Sequence, residues 1–252
     1  MLEARIRKAQ QQKGMLLMTH IVLGYPSFDD SRRIVEAMIA AGVDLMELQI
    51  PFSEPMADGP VILHANQRAL DAGATVDRCF ELASKLTREF DIPFLFMTYY
   101  NIAFVRGVEA FARDVKAAGL HGAIIPDLPH EEGSALFDAM TKEQLAPIFL
   151  FSPNTGAERM AEIAKRARGF VYCVARKGVT GAATEFASLD AYLTRCRKAT
   201  ALPLALGFGV KSKQDIDQLQ GKIDIAVVGS ETIRVVDTQG VAAVGPFIRS
   251  LR

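Results

Sequence analysis

Short apolar runs alternate along the chain with segments of helical periodicity. This alternation begins after a charged and polar leader over residues 1–14 and repeats through eight cycles. It is typical of repeated βα units. The predicted strands cover residues 16–23, 43–50, 93–98, 122–125, 146–151, 170–174, 203–206 and 223–228. The predicted helices cover residues 28–41, 60–70, 76–89, 108–118, 131–142, 157–166, 189–199, 213–219 and 231 onward.

The predicted elements are joined by short connections, and no Pro/Ser/Gly-rich linker or low-complexity segment divides the chain. Eight βα cycles of this size favour a single (β/α)8 TIM barrel of the α/β class, with a short N-terminal helix and one domain over residues 1–252. An open doubly wound sheet is the alternative fold. In a barrel, the chemistry is expected where the βα loops meet, at the C-terminal ends of the strands.

Composition narrows the classes of partner. The chain has 252 residues, half of them hydrophobic, and 29 Lys and Arg balance 29 Asp and Glu. A formal net charge of +0 argues against a nucleic-acid-binding surface.

Three widely spaced cysteines without a CxxC pattern argue against both a disulfide framework and a zinc site, and favour a reducing, cytoplasmic setting. No segment has the length of apolar sequence that a membrane span needs.

Two carboxylates in the stretch "MELQIPFSEPMADGP", residues 46–60, are candidates for acid–base chemistry. Alternation along the second strand puts Glu47 and Gln49 on one face and Met46 and Leu48 on the other. An inward glutamate at the barrel mouth is expected to be paired or to have a raised pKa, which suits a general acid or base. Asp58 fits either a turn position or the site, and Glu54 fits either a solvated surface charge or a partner contact.

Two glycine-containing strand ends late in the chain predict a phosphate site. "LGFGV" follows the seventh strand and "GSETI" the eighth, each ahead of a predicted helix. Glycine allows backbone N–H groups to approach an anion, and a helix N-terminus adds a favourable dipole. The loops after strands seven and eight are the recurrent phosphate site of barrels. "RKGVTG", residues 176–181, adds a glycine-rich loop after the sixth strand.

These stretches, together with "HANQRAL", "MTYYN", "IIPDLPHEE" and "APIFLFSPNT", resemble the tryptophan synthase α subunit family in order over essentially the whole chain. The resemblance implies a lyase of tryptophan biosynthesis that cleaves indole-3-glycerol phosphate to indole and glyceraldehyde 3-phosphate. It implies no metal and no cofactor for this chain. It also implies a β subunit partner in an α2β2 heterotetramer, to which indole is passed.

The resemblance also implies roles for individual residues. Glu47 matches the catalytic acid/base, and Asp58 matches the carboxylate that accepts the indole N–H. The positions that match substrate-binding residues are Tyr172, Thr180, Gly181, Gly209, Gly229 and Ser230.

The chain departs from the family pattern at positions around this site. Gln49 replaces a usual glycine, His20 a usual aromatic residue and Leu63 a usual glutamine. One interpretation is compensating change, in which Gln49 hydrogen-bonds Glu47, His20 is a hydrogen-bonded core residue, and activity is intact. The alternatives are a divergent or stand-alone lyase with a re-shaped pocket, and a catalytically weak regulatory subunit.

Overall fold

Each predicted strand forms, with bounds within two residues of those expected. The computed structural model describes residues 1–174, 182–207 and 209–252, and within 182–188 it describes the backbone alone. The strands are β1 (Leu16–Val22), β2 (Leu45–Gln49), β3 (Phe94–Met97), β4 (Gly122–Ile124), β5 (Ala146–Phe151), β6 (Val171–Val174), β7 (Leu204–Gly207) and β8 (Ile225–Val228).

These eight strands form a closed parallel barrel in chain order, with β8 pairing back to β1. The predicted (β/α)8 barrel is therefore confirmed, and the open doubly wound sheet is wrong. The helices are α1 (Leu2–Lys13), α2 (Phe28–Ala40), α3 (Pro60–Asp71), α4 (Val76–Glu89), α5 (Tyr100–Arg106), α6 (Val108–Ala117), α7 (Ser134–Lys142), α8 (Ala157–Arg166), α9 (Ala182–Ala199), α10 (Lys213–Leu219), α11 (Ser230–Gln239) and α12 (Val244–Ser250).

Helix boundaries differ from the predicted ones at four places. The helix predicted from residue 231 onward ends at Gln239, and a short 3-10 turn over Val241–Ala243 separates it from α12. α7 begins three residues later than expected. The backbone N–H groups of Glu132 and Gly133 donate to the carbonyl of Pro129, so these residues form turns ahead of the helix. α9 begins earlier, at Ala182. α5 was not predicted, because its start is fixed by Asp127, a contact that is distant in sequence.

Strand alternation divides the apolar residues into two cores. On β2, Leu45 packs inside the barrel, whereas Met46 and Leu48 pack between the sheet and the helices. Glu47 and Gln49 share the inward face with Leu45, as the pattern predicted.

Helix α1 closes the N-terminal end of the barrel. Leu2 and Ile6 are buried in the inner core, and Arg5 forms an ion pair with Asp91, just before β3. The side chain of Gln10 donates to Asp224, just before β8. The opposite, C-terminal end is left for the βα loops and the site.

Candidate active site

A cavity of about 960 Å³ opens at the C-terminal ends of the strands. Its wall includes residues from β1, β2, β6 and the loops after β2, β7 and β8. The predicted site residues that line it are Glu47, Asp58, Tyr172, Gly209, Gly229 and Ser230. Thr180 and Gly181 lie outside the described residues, so their predicted roles stay predictions.

Glu47 lies in the wall of this cavity and is almost completely buried. Its side chain is 3% exposed, and its Oε2 atom lies 3.0 Å from Nδ1 of His20. The parallel register of β1 and β2 pairs His20 with Glu47 directly, which brings the two inward side chains together. The other oxygen, Oε1, is buried and has no hydrogen-bond partner among the described residues.

Asp58 enters the same site from the loop between β2 and α3. Its Oδ2 atom accepts hydrogen bonds from Nε2 of Gln49 at 2.7 Å and from the hydroxyl of Tyr99 at 3.0 Å. The backbone N–H of Ala57 donates to the same hydroxyl at 3.1 Å, which ties the loop to the end of β3. α3 starts after Gly59 without a side-chain cap. The Asp58 carboxylate is therefore directed at the site rather than used to cap the helix.

His20 and Gln49 join these two carboxylates. Nε2 of His20 lies 2.8 Å from Oε1 of Gln49, so one hydrogen-bonded series runs from Glu47 through His20 and Gln49 to Asp58. The expectation that Gln49 would bond Glu47 is wrong, because the neighbouring strand places His20 between them. His20 is buried and hydrogen-bonded as expected, but it also lines the cavity.

The two carboxylates of the site raise the pKa values of the histidine and of the two tyrosines around them. Burial lowers the pKa of His20, but the hydrogen bond and charge of Glu47, the charge of Asp58 and the hydrogen bond of Gln49 together raise it above the ordinary value. Burial, with the charges of Glu47 and Asp58, raises the pKa of the Tyr172 phenol well above its usual range. Burial and Asp58 raise the pKa of Tyr99 in the same way. Both phenols therefore stay protonated near neutral pH.

Tyr172 extends from β6 into the cavity over a glycine of the next strand. A Cβ atom on Gly207 would lie 2.8 Å from the Tyr172 hydroxyl and 3.0 Å from a ring carbon. A larger residue at position 207 would displace the ring. The absence of a side chain there is what admits Tyr172 to its place in the wall.

The predicted phosphate residues among those described are Gly209, Gly229 and Ser230, and they line the cavity after β7 and β8. Gly209 has a φ of 71°, a backbone conformation that glycine adopts readily. Gly229 caps α11 without a side-chain hydrogen bond, and Ser230 is the first residue of that helix. The first N–H groups of a helix have no partner within the helix, so this end can bind an anion.

Asp127 lines the cavity, and the sequence did not indicate its contact with Tyr100. Both of its carboxylate oxygens accept from the backbone N–H of Tyr100, at 2.9 and 3.1 Å, at the start of α5. Burial raises the pKa of this carboxyl. The contact fixes the short helix α5 beside the cavity mouth.

In the described part of the chain, no group of three or more His, Cys, Asp or Glu side chains could hold a metal ion. Within the same residues, no helix is long and apolar enough to cross a membrane.

The chain matches known proteins along its whole length. The family model described as "Tryptophan synthase alpha chain" matches residues 6–244. A tryptophan synthase alpha chain from Desulforapulum autotrophicum is 63% identical over 252 residues, with 100% of both chains covered. One from Syntrophotalea carbinolica is 60% identical over 253 residues, again with 100% of both covered.

The chain belongs to the tryptophan synthase alpha chain family.

Solved structures agree with this assignment. The crystal structure of tryptophan synthase subunit alpha from Legionella pneumophila str. Paris superposes with a TM-score of 0.90 at 29% identity, covering 99% of this chain and 96% of that one. The resemblance predicted from the sequence is thus confirmed. Tryptophan synthase alpha chains are lyases of tryptophan biosynthesis that cleave indole-3-glycerol phosphate, and they pair with beta subunits.

Proposed function

We propose that this chain cleaves indole-3-glycerol phosphate in the cavity described above, with Glu47 as the acid/base and Asp58 as the carboxylate that faces the indole N–H. The observation that carries the proposal is the convergence of these two carboxylates on one cavity that also contains the N-terminus of α11.

The reaction requires one proton to move between two atoms of the substrate. The hydroxyl beside the scissile bond loses a proton and becomes the aldehyde of glyceraldehyde 3-phosphate, while C3 of indole gains a proton as the C–C bond breaks. A single carboxylate between the two atoms can carry that proton. The buried and unpaired Oε1 of Glu47 is available for this transfer.

Protonation at C3 places positive charge on the indole ring nitrogen. A carboxylate that accepts the ring N–H stabilises this charge, and a fixed carboxylate does so without reorganising during the reaction. Asp58 is fixed by Gln49 and Tyr99. Tyr172 then borders the ring pocket, and backbone N–H groups hold the phosphate, at Gly181, Gly209, Gly229 and Ser230. Thr180 is assigned to the loop over the substrate.

A β subunit in an α2β2 heterotetramer is the proposed partner. Three apolar side chains are exposed on the loop after β2 and on α5: Met56 at 78%, Phe104 at 64% and Val105 at 77%. Both segments follow strands that end at the cavity, so a partner seated there could receive indole directly. We also assign the chain to the cytoplasm as one domain over residues 1–252, in keeping with its free cysteines.

The direct test measures products. Indole-3-glycerol phosphate is incubated with the chain, alone and with its β subunit, and both indole and glyceraldehyde 3-phosphate are quantified. We expect the two products in equal amounts and a higher rate with the partner. Absence of both products even with the partner would overturn the proposal.

A further inference from the structure

Four side chains form a shielded bridge between the two carboxylates of the site. We call Glu47, His20, Gln49 and Asp58 the carboxylate bridge. Its three contacts measure 3.0, 2.8 and 2.7 Å in that order. His20, Glu47 and Gln49 are 4%, 3% and 0% exposed, so water has little access to the interior of the bridge.

The chemistry of donors and acceptors fixes the orientation of the Gln49 amide. An ionised carboxylate can only accept hydrogen bonds. Asp58 therefore takes the NH2 group of Gln49, which leaves the amide oxygen of Gln49 facing Nε2 of His20. Because that oxygen can only accept, Nε2 of His20 must donate.

The other ring nitrogen of His20 is constrained in the same way. Nδ1 faces Oε2 of Glu47, and the proposed role of Glu47 as proton acceptor requires an ionised carboxylate, which can only accept, so Nδ1 also donates. A histidine that donates from both nitrogens is an imidazolium. A neutral ring would set a lone pair against either the amide oxygen of Gln49 or the carboxylate of Glu47.

We propose that His20, held by Gln49, is a positioning residue of the lyase reaction, an imidazolium that fixes Oε2 of Glu47 and leaves Oε1 to face the substrate. This inference rests on the proposed function. His20 transfers no proton in the reaction. Its Nδ1–H holds Oε2 of Glu47 in place while Oε1 accepts the hydroxyl proton, and Gln49 couples that arrangement to Asp58.

The groups around His20 agree with a positive charge at this position. Glu47 faces it from β2 and Asp58 lies behind Gln49 in the loop after β2. From β8, the neighbour is Gly229, whose Cβ position would be 3.9 Å from His20 Cβ and which carries no charge. Tyr172 of β6 also lines the cavity and remains a neutral phenol.

Loss of the His20 proton should break the bridge. The neutral ring cannot donate to Gln49 while it donates to Glu47, and a rotated Gln49 amide would set its oxygen against Asp58. Since the pKa of His20 is raised, this happens above the ordinary histidine range. We therefore expect kcat to fall at alkaline pH as His20 loses its proton, which gives the pH profile an alkaline limb.

The first test needs no activity. The chain has 4 histidines, so nitrogen-15 NMR of the uniformly labelled protein can resolve their rings, with His20→Gln identifying the His20 signals. At about pH 7, above the ordinary His pKa of about 6.5, both His20 nitrogens should be protonated. In Gln49→Met, the His20 imidazolium should lose its proton at a lower pH than in the wild type. A wild-type spectrum at neutral pH in which none of the 4 histidine rings has both nitrogens protonated would overturn the proposal without any variant.

The second test separates positioning from folding. For His20→Gln and Gln49→Met we expect kcat to fall by on the order of 10²-fold, with KM little changed and the alkaline limb lost in His20→Gln. The matched control is His64→Gln, on the exposed face of α3 and outside the cavity wall, which should behave like wild type. An active wild type whose limb survives in His20→Gln rejects the bridge, whereas a wild type that releases no indole with its partner rejects the proposed function instead.

Discussion

At the scale of single residues, the site depends on where strand alternation and strand register place polar atoms. Alternation along β2 suffices to turn Glu47 and Gln49 inward, and this much follows from the sequence. The pairing of His20 with Glu47 cannot be predicted from the sequence, because it depends on the register between β1 and β2 in the closed barrel. The departures from the family pattern at positions 20 and 49 look independent in the sequence, yet the structure makes them neighbours in one bridge.

Asp58 provides a prediction at this scale. Asp58→Asn keeps an oxygen that can accept from Gln49 and Tyr99 but removes the charge opposite the indole nitrogen. We expect kcat for indole release to fall by about 10²-fold with a smaller change in KM. Steady-state kinetics on purified protein measure this.

Asp71→Asn is the matched control, since Asp71 lies exposed at the end of α3. Equal kcat values for wild type and Asp58→Asn would contradict the role assigned to Asp58.

At the scale of elements, helices with their own local signals were predictable, including the seven-residue α10 with its Ser212 capping box, whereas α5 was not. α4 and α8 have the bounds predicted, because their apolar positions recur over several turns and α4 begins at a Thr75 cap. α5 has seven residues, begins against Asp127 and ends at Gly107, whose φ is 86°. Its anchor is distant in sequence, so no local pattern could indicate it.

Helix α5 carries the prediction that concerns the partner. Phe104→Asp places a charge on an apolar side chain that is 64% exposed, so the fold should be unaffected while binding of the β subunit weakens. We expect at least a tenfold rise in Kd, the change that about 1.4 kcal/mol of lost contact produces. Isothermal titration calorimetry with the β subunit measures it.

Gln11→Asp adds the same charge to an exposed position of α1, at the opposite end of the barrel. It should bind the β subunit like wild type. Equal binding by Phe104→Asp and Gln11→Asp would show that α5 lies outside the interface.

At the scale of the whole molecule, the barrel fold followed from the count of βα cycles, and the closed order of β1 to β8 confirms it. The pattern could not show that His20 and Glu47 are paired inside the barrel near its C-terminal end. Because of this pair, the free energy of unfolding should depend on pH. Because the pKa of His20 is raised in the folded state, the folded protein binds its proton more tightly than the unfolded chain does.

The sign of the effect follows from linkage. The stabilisation is fully present below the unfolded pKa, near 6.5, and is lost as pH rises through the higher folded value. The difference in unfolding free energy between wild type and His20→Gln should therefore shrink from about pH 6 to about pH 10. Urea denaturation at both pH values measures it, and a difference that grows with pH would contradict the charged state assigned to His20.

The proposal that Glu47 moves the proton required for cleavage is tested by comparing Glu47→Gln with Glu81→Gln. Both changes replace a carboxylate by an amide, but Glu81 is exposed on α4 and lies outside the cavity wall. With the β subunit present, kcat for indole release should fall by roughly 10²–10⁴-fold in Glu47→Gln, with binding of the substrate retained. Glu81→Gln should keep the wild-type kcat. A Glu47→Gln variant that releases indole at the wild-type rate would contradict the account.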